Sequence, residues 1–516
     1  MLRLTEKIGQ MLMVGFDGTV APPYLLDWLA SGRIGGVYLF ARNVESPAQV
    51  KQLVDSCHNA ARHPILVGID QEGGAVARLR AGFSESPGAM ALGASRDTQL
   101  AEDIAFMMGR ELAALGINWN FAPVADVAHR SANPSVGTRS AGLDKDLVRD
   151  FVIAQIKGFE RAGVASTAKH FPGLGNTEID THEALAKVSG SLGYLYEEDL
   201  IPFRGAISAD VPCIMTSHVM FEELDDRYPA SLSPRVINGL LRSELGYDGA
   251  VCTDCMEMKA ITDGWGTGES AVLAALAGAD MLLFSHSRAG QEAAYDTLLG
   301  AAESRRISTE RIDKSIARIG ALKRRYQLND RPPLEIVACD AHLSLASKAA
   351  RAGTVLLRPP DRWPIARGRS RLLCIEFARQ LFSSEEDQDS GTALSRYLSQ
   401  RLAHAESLIV RSEAELDLIL AQAGSLDAAS EILIIATRNA HMLPWQAQAA
   451  QAAIDRHPGA TLLCLRDPYD AKVISDAGAI LCSNGDSPPS LEAAVDAICG
   501  DYVPGGMLTV NLEPAL

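Results

Sequence analysis

The chain from Met11 to Ser285 is dominated by one pattern, in which short apolar runs alternate with amphipathic segments of helical length. Apolar runs of about four to eight residues separated by helices predict parallel strands joined by crossover connections. This repetition favours a (β/α)8 TIM barrel, and an open doubly wound sheet is the main alternative. The predicted strands are Met11–Phe16, Gly35–Phe40, Ile65–Asp70, Ile117–Val124, Ala165–Phe171, Cys213–Val219, Gly249–Asp254 and Met281–Ser285. The clearest helices between them are Pro47–Ala61, Thr98–Leu115, Lys145–Ala162, Ser233–Glu244 and Ser270–Ala277.

A second, smaller domain is predicted after a charged segment with two prolines, Lys323–Pro333, which is typical of an interdomain linker. Beyond it the alternation resumes on a smaller scale and predicts an open, doubly wound α/β sheet without a nucleotide-binding motif. A chain of 516 residues is too long for one core. We therefore predict a barrel at residues 1–326, a linker at 327–345 and an α/β sandwich domain at 346–516. The predicted strands of the second domain are Thr354–Leu357, Arg371–Glu376, Ser407–Val410, Glu431–Thr437, Thr461–Arg466 and Ala479–Cys482, and its clearest helices are Ala393–Ala403 and Pro489–Cys499.

The composition limits the partners that this chain binds. Acidic residues outnumber Lys and Arg by 64 to 48, and the net charge of −16 argues against a nucleic acid or an anionic membrane as partner. No apolar run reaches transmembrane length, and the N-terminus lacks the apolar core of a signal peptide. We therefore predict a cytoplasmic protein, unless an export segment has been removed, and we expect a monomer.

The nine cysteines predict neither a disulfide framework nor a metal site. Their number is odd and most lie inside apolar runs, which favours a reducing compartment. Cys252 and Cys255 have C-x-x-C spacing, but a zinc site needs a second pair of ligands. We expect both thiols to pack in the core, and we assign the chain no metal and no other cofactor.

Ionisable side chains stand at the carboxyl ends of several predicted strands. Active sites of (β/α)8 barrels lie at that end, because the loops that follow the strands meet there. The sequence therefore predicts a catalytic centre at these positions, although some of them could serve only to hold loops. The residues are Asp70, Asp126, Lys169, His170, His218 and Asp254.

The loop after His170 offers an acid and an imidazole two residues apart, Asp180 and His182. A carboxylate beside a histidine fixes its tautomer, raises its pKa and leaves the other ring nitrogen to exchange protons. An isolated Asp-x-His pair is more often part of a surface loop, so its role depends on what the rest of the chain supplies.

A second carboxylate with possible chemistry is Asp254, which ends a predicted buried strand. Fixed at a barrel mouth, it could attack an electrophilic carbon, as the nucleophile of a retaining glycosidase does. Asp70 is suited to accept hydrogen bonds from sugar hydroxyls, and the glycines that follow it allow close backbone approach before Arg78. The alternative for these glycines is a helix-entry turn with Glu72 near the helix N-terminus. Arg139 lies on a turn-rich loop after the fourth strand.

Several independent motifs lie between residues 5 and 290. Through them the chain resembles family 3 glycoside hydrolases and, more narrowly, the bacterial β-N-acetylglucosaminidases of that family. The end of the chain resembles the α/β sandwich of two-domain members more loosely. The motifs are IDQEGG at Ile69–Gly74, NFAPVAD at Asn120–Asp126, KHFPG at Lys169–Gly173, DTH at Asp180–His182 and the strand that ends at Asp254.

The resemblance implies an exo-acting, retaining hydrolase that removes terminal β-linked N-acetylglucosamine from a peptidoglycan fragment or a chitooligosaccharide. The nucleophile of the family falls on Asp254, and its general acid/base dyad falls on His182 with Asp180. Its sugar-binding positions fall on Asp70, Arg78, Arg139, Lys169 and His170. The chain departs from the family pattern at Leu174, Asn176 and Leu185–Ala186, which puts the mobility and acceptor contacts of the loop in question.

Three other functions remain open on the same scaffold. An imidazole is uncharged in the second step, so phosphate could replace water and the enzyme would be a phosphorylase. A non-catalytic sugar-binding protein is a second alternative. The presence of all three proposed catalytic residues argues against it. A β-glucosidase of the same family is a third, although those enzymes resemble this chain less because they lack the loop dyad.

Overall fold

The computed structural model describes residues 2–188, 191–361, 363–366, 371–381, 383, 393–427, 430–474 and 476–512. Its N-terminal part contains a closed parallel barrel. The strands of this part are β1 (Leu12–Val14), β2 (Gly36–Leu39), β3 (Leu66–Ile69), β4 (Gln71–Gly73), β5 (Val76–Ala77), β6 (Trp119–Asn120), β7 (Thr167–Phe171), β8 (Ala186–Val188), β9 (Cys213–Thr216), β10 (Val219–Phe221), β11 (Ala250–Cys255) and β12 (Met281–Phe284).

Eight of these strands form one parallel sheet, in the order β6-β3-β2-β1-β12-β11-β9-β7. The sheet closes on itself because the chain after β6 pairs with β7. The Thr167 amide donates to the Ala122 carbonyl at 2.8 Å, and the Lys169 amide donates to the Pro123 carbonyl at 3.2 Å. The predicted (β/α)8 fold is thus confirmed, and the open sheet is not the architecture of this region. β4 and β5 form a small antiparallel hairpin, and β8 and β10 form a parallel pair outside the barrel.

Helices cover the outside of the barrel, and their ends follow from local sequence. Helix α5 begins after Asp97, whose carboxylate accepts from the Leu100 amide, and it ends at Gly116 in the left-handed conformation. Helix α6 has the same type of start and end, at Asp144 and Gly163. The helices here are α1 (Leu4–Gln10), α2 (Pro23–Ser31), α3 (Pro47–Ala60), α4 (Ala89–Ser95), α5 (Thr98–Leu115), α6 (Lys145–Ala162), α7 (Leu192–Tyr194), α8 (Leu200–Ser208), α9 (Lys259–Trp265), α10 (Thr267–Ala277), α11 (Arg288–Glu303) and α12 (Thr309–Arg325), with π-helical turns at Leu195–Asp199 and Arg235–Glu244.

The C-terminal part is an open α/β sheet, as predicted. Its strands are β13 (Val355–Arg358), β14 (Arg371–Phe377), β15 (Ala405–Val410), β16 (Glu431–Thr437), β17 (Thr461–Cys464) and β18 (Ala479–Cys482). They lie in the order β13-β18-β17-β16-β14-β15, and β13 runs antiparallel to β18 while the other pairs are parallel. The helices are α13 (Asp340–Gly353), α14 (Leu394–Arg401), α15 (Leu416–Gly424), α16 (Pro444–Arg456), α17 (Asp470–Val473) and α18 (Pro488–Cys499).

The two parts are joined by more than the chain between them. The Met507 amide donates to the Ala94 carbonyl at 2.8 Å, and the Leu143 amide donates to the Thr509 carbonyl at 2.8 Å. Helix α13 starts at Asp340, inside the predicted linker of residues 327–345. The domain limits at 326 and 346 stay predictions. Within the described residues, no helix has both the length and the apolar character that a membrane span requires.

Candidate active site

A cluster of buried charges occupies the carboxyl end of the barrel, and we call it the mouth cluster: Asp70, Glu72, Arg78, Arg139 and Lys169. Lys169 on β7 donates to Asp70 Oδ1 and to Glu72 Oε1, both at 2.7 Å. Arg78 Nη2 lies 3.4 Å from Asp70 Oδ2, which also accepts from the hydroxyl of Tyr38. These side chains alternate in sign, so each buried charge has an opposite charge beside it.

Glu72 is the member of the mouth cluster to which the sequence assigned no binding role. Its carboxylate receives two hydrogen bonds from Arg139, from Nε at 2.9 Å and from Nη2 at 2.8 Å. Burial opposes ionisation, but the charges of Arg139 and Lys169 outweigh it and lower the pKa of Glu72 to about 2. The helix-entry turn, which was the alternative at this point, does not form. Gly73 and Gly74 have φ values of 89° and 63°, which allow the chain to turn back as the hairpin β4–β5.

His170 follows Lys169 and is held by Asp126. Its Nδ1 lies 2.7 Å from Asp126 Oδ2, and its amide donates to Asp126 Oδ1 at 3.3 Å. The same Oδ1 accepts from the Leu174 amide at 2.7 Å. Asp126 therefore fixes both the imidazole and the beginning of the loop that leaves β7.

Asp254 lies near the end of β11 and keeps partial exposure to solvent. Its Oδ1 accepts from the Cys255 amide at 2.7 Å. Beside it, His218 is fully buried, with Nδ1 at 2.7 Å from Ser231 Oγ and Nε2 at 2.9 Å from the Cys255 carbonyl. Because a carbonyl oxygen only accepts, Nε2 carries the proton and Nδ1 accepts from the serine. Burial lowers the pKa of His218, although the charge of Asp254 opposes the shift, and the imidazole stays neutral.

The predicted dyad is formed, in the loop between Pro172 and Leu185 that we call the dyad loop. His182 Nδ1 lies 2.7 Å from Asp180 Oδ1, and the His182 amide donates to the same oxygen at 3.0 Å. Burial raises the pKa of the Asp180 carboxyl, but the hydrogen bonds and charge of His182 lower it below its usual range. The Asp180 side chain is 5% exposed and that of His182 is 20% exposed.

The dyad loop is joined to the helix that follows the strand of Asp254. The Ala260 amide, in the helix that follows β11, donates to the Thr181 carbonyl at 3.4 Å, between the two residues of the dyad. The pKa of His218 responds to the charges of Asp254, His182 and His170. The charge of Asp254 raises this pKa, and the charges of His182 and His170 lower it.

The structure thus brings all eight predicted site residues to one end of the barrel. Six of them are buried, and the two that keep partial exposure are Asp254 and His182. A cavity of about 610 Å³ borders the dyad loop. Two of the departures from the family pattern, Asn176 and Leu185–Ala186, line it, whereas Leu174 is buried.

Cys252 and Cys255 are both buried as free thiols, and burial raises the pKa of each. Cys252 lies on the barrel strand that also carries Asp254, and its side chain belongs to the main hydrophobic core. Packing was the role that the sequence predicted for both.

Comparison with known proteins gives consistent matches. The family model of the glycosyl hydrolase family 3 N-terminal domain matches residues 3–322. The chain is 36% identical to Beta-hexosaminidase A of Pseudoalteromonas piscicida over 365 residues, which are 62% of this chain and 61% of that protein. It therefore spans less than two thirds of that relative. It is 37% identical to a Beta-hexosaminidase of Stenotrophomonas maltophilia (strain R551-3) over 291 residues, 55% of this chain and 86% of the relative.

Among solved structures, a family 3 β-N-acetylglucosaminidase from Paenibacillus sp. str. FPU-7 superposes with a TM-score of 0.93 at 35% sequence identity. The superposition covers 100% of both chains, so the likeness includes the barrel and the C-terminal sheet.

Proposed function

The chain belongs to glycosyl hydrolase family 3, and from this we propose that it is a retaining exo-β-N-acetylglucosaminidase. The relatives at 35–37% identity are named as β-hexosaminidases or as a β-N-acetylglucosaminidase, which supports this sugar. The observation that carries the proposed chemistry is the hydrogen bond from Ala260 to Thr181. It joins the loop of the Asp180–His182 dyad to α9, the helix that follows the strand of Asp254.

In the first step, the Asp254 carboxylate attacks the anomeric carbon and forms an aspartyl glycosyl-enzyme. His182 protonates the departing glycosidic oxygen. Since Nδ1 is bonded to Asp180, the proton leaves from Nε2, and the charge that Asp180 keeps stabilises the imidazolium before transfer. In the second step, neutral His182 takes a proton from water while water attacks the same carbon.

The mouth cluster would hold the non-reacting part of the sugar. Asp70 offers a hydrogen-bond acceptor and Lys169 offers a donor, and the two groups already lie 2.7 Å apart. Their positions are therefore fixed before the sugar binds. Such prearranged charges favour a distorted sugar near the transition state over the relaxed one. Arg78, Arg139 and His170 complete the proposed binding side of the site.

Activity on two aryl glycosides tests the proposal. Purified enzyme should cleave the aryl β-N-acetylglucosaminide much faster than the aryl β-glucoside, and Asp254→Ala should lose at least about a thousandfold in kcat. Asp248→Ala is the matched control, because Asp248 is 91% exposed on the loop before the same strand, at its other end. A chain with no turnover of either substrate would be a binding protein, and equal rates for Asp254→Ala and wild type would exclude this nucleophile.

The acceptor is tested by analysing products in phosphate buffer. We expect free N-acetylglucosamine, because the proposed second step uses water. A sugar 1-phosphate as the main product would identify the phosphorylase instead. The natural aglycone (peptidoglycan fragment or chitooligosaccharide), the cytoplasmic location and the monomeric state stay predictions.

A further inference from the structure

The chain after β6 contacts both the mouth cluster and the dyad loop, and we call residues 130–139 the bridging loop. At its end, Arg139 donates to both carboxylate oxygens of Glu72, at 2.9 and 2.8 Å. Near its beginning, the Ser131 carbonyl accepts from Nε2 of His441, in the C-terminal part of the chain, at 2.9 Å. The bridging loop is therefore held near both ends by elements other than the dyad loop.

The bridging loop is also fixed internally, by the side-chain carbonyl of Asn133. Its Oδ1 accepts from the amides of Ser135 and Val136, both at 2.9 Å. Arg139 Nη1 donates in turn to the Ser135 carbonyl at 2.6 Å, and the Arg139 amide donates to the Val136 carbonyl at 2.8 Å. The turn that Asn133 closes therefore sets the position of Arg139.

The other side of the same amide group binds the stem of the dyad loop, which we define as residues 174–177. Asn133 Nδ2 donates to the Leu174 carbonyl at 2.9 Å and to the Gly175 carbonyl at 3.2 Å. It also donates to Thr177 Oγ1 at 3.3 Å, and that hydroxyl donates to the Leu174 carbonyl at 2.9 Å. The asparagine is 3% exposed, so bulk water does not compete for these bonds.

The stem also packs directly on the chain that leads into the bridging loop. A Cβ at Gly175 would lie 1.7 Å from the Val127 carbonyl oxygen, so this contact allows no side chain. The Leu174 amide is held by Asp126, from the same stretch of chain, at 2.7 Å. The stem therefore has one position relative to the chain after β6, and the dyad follows shortly after it in the same loop.

An amide side chain satisfies both sides of the contact at Asn133, which a carboxylate of the same shape does not. The backbone amides on the side of the bridging loop can only donate, and the carbonyls on the side of the stem can only accept. An ionised carboxylate would still accept from the first group, but it would repel the carbonyl oxygens of the second. The orientation of the Asn133 amide is therefore determined, with its donors towards the dyad loop.

We infer that Asn133 is a positioning residue that ties the general acid to the sugar-binding arginine. Its side chain keeps the stem of the dyad loop in register with the turn that places Arg139. His182 then meets the glycosidic oxygen of a sugar that is bound at the mouth cluster. The inference rests on the proposed function, because it requires His182 to be the acid.

The test compares leaving groups in the full-length enzyme through kcat/KM, which includes the formation of the glycosyl-enzyme. Asn133→Asp keeps the acceptor for the bridging loop and loses the donor to the stem. It should lower kcat/KM roughly tenfold for chitobiose, whose leaving oxygen needs a proton. For a nitrophenyl β-N-acetylglucosaminide, which needs none, kcat/KM should change less than about twofold. Asn59→Asp is the matched control, because Asn59 is exposed on helix α3.

Two further variants separate the two sides of the contact. Asn133→Ala also removes the acceptor that places Arg139, so kcat/KM should fall roughly tenfold even for the nitrophenyl substrate. Thr177→Val removes one acceptor of the stem and leaves Asn133 intact. It should lower kcat/KM for chitobiose selectively, by roughly threefold, and it tests the stem even if Asn133→Asp does not fold.

Three results would overturn the inference. Equal losses of Asn133→Asp on both substrates would make Asn133 a structural residue. Unchanged chitobiose cleavage in Asn133→Asp, or in Thr177→Val where Asn133→Asp does not fold, would exclude a role in placing the acid. Unchanged nitrophenyl cleavage in Asn133→Ala would exclude the link to Arg139.

His182→Ala, measured beside these variants, separates the inference from the proposed function. If His182→Ala loses chitobiose cleavage selectively and Asn133→Asp does not, Asn133 has no positioning role, while the proposed function stands. If His182→Ala shows no selectivity, there is no acid for Asn133 to position, and both claims fail.

Discussion

The mouth cluster and the dyad loop contain similar acid–base pairs, but they are held in opposite ways. In the mouth cluster, side chains from strand ends, from the hairpin β4–β5 and from the loops beside them are at most 5% exposed, and most of them touch more than one opposite charge. In the dyad loop, which contains no helix or strand, Ile179 is 47% exposed and His182 is 20% exposed.

The difference matches the work proposed for each region. A sugar ring must be held in one orientation, which a set of mutually neutralised buried charges does without reorganisation. A general acid must instead exchange protons with the leaving group and then with water, so it needs access and some freedom to move. We therefore expect substitutions in the mouth cluster to affect folding and binding together, and those of the dyad residues Asp180 and His182 to affect turnover alone.

The largest expected effect tests the burial of the mouth cluster. Glu72→Gln leaves the charges of Arg139 and Lys169 with less compensation, and we expect it to lower the free energy of unfolding by about 3–5 kcal/mol. Glu178→Gln, in the dyad loop, breaks an ion pair with Arg130 in which the glutamate is 68% exposed, so the loss should be less than about 1 kcal/mol. Urea unfolding followed by tryptophan fluorescence measures both. Similar losses would mean that the two regions are not held differently.

Acid stability provides a second comparison. The pKa of Glu72 is lowered from 4.5 to about 2, so its contribution to stability is complete above pH 4.5 and is lost as the pH falls towards 2. That loss is about 3 kcal/mol, and it should be missing from the pH dependence of Glu72→Gln. Asp180→Asn should keep most of the loss, because Glu72 is unchanged. Unfolding midpoints measured between pH 6 and pH 2.5 check this, and identical pH slopes in wild type and Glu72→Gln would contradict it.

The third prediction concerns a substitution that lowers turnover and leaves stability unchanged. We expect His182→Ala to lower kcat for chitobiose roughly a hundredfold, as the loss of a general acid does. Its unfolding midpoint should stay near that of wild type, since the side chain is partly exposed and lies outside the core. Thermal unfolding together with initial rates provides the measurement. A fall in stability as large as that of Glu72→Gln would show that the dyad is a structural pair.

The smallest effect tests the outer side of the dyad loop. Asn176 lines the cavity beside this loop, away from the mouth cluster. Asn176→Ala should raise KM for a disaccharide roughly threefold, through the loss of one neutral hydrogen bond to the leaving sugar. KM for an aryl glycoside, which lacks that sugar, should not change. Equal KM changes for the two substrates would place the effect on the mouth cluster instead.

The two regions also differ in how well the sequence predicts them. Strand periodicity and the barrel rule lead directly to Asp70, Lys169 and Asp254, because in a closed parallel barrel the strand ends must converge. Glu72 was missed because a Gly-Gly pair is compatible with both a helix entry and a hairpin, and only the partners Arg139 and Lys169 distinguish the two. The available signal was the position of Glu72, an acidic residue two positions after the end of the predicted strand Ile65–Asp70.

Contacts between distant parts of the chain could not be predicted from the sequence. The hydrogen bond between the Met507 amide and the Ala94 carbonyl joins positions about four hundred residues apart, and no local pattern records it. The same holds for the antiparallel pairing of β13 with β18. A strand pattern in the sequence predicts which residues alternate between buried and exposed and how long the strand is. It does not predict whether the strand runs parallel or antiparallel to its neighbour.

The central claim is that Asp254 forms a covalent bond to the sugar while His182 serves the departing and entering oxygens. Mass spectrometry of acid-quenched His182→Ala with a nitrophenyl β-N-acetylglucosaminide tests it most directly. This substrate needs no acid in the first step, whereas the second step lacks its base, so the intermediate accumulates. We predict one N-acetylhexosamine on the peptide that contains Asp254. Substrate turnover with an unmodified Asp254, or an adduct on another carboxylate, would contradict the account.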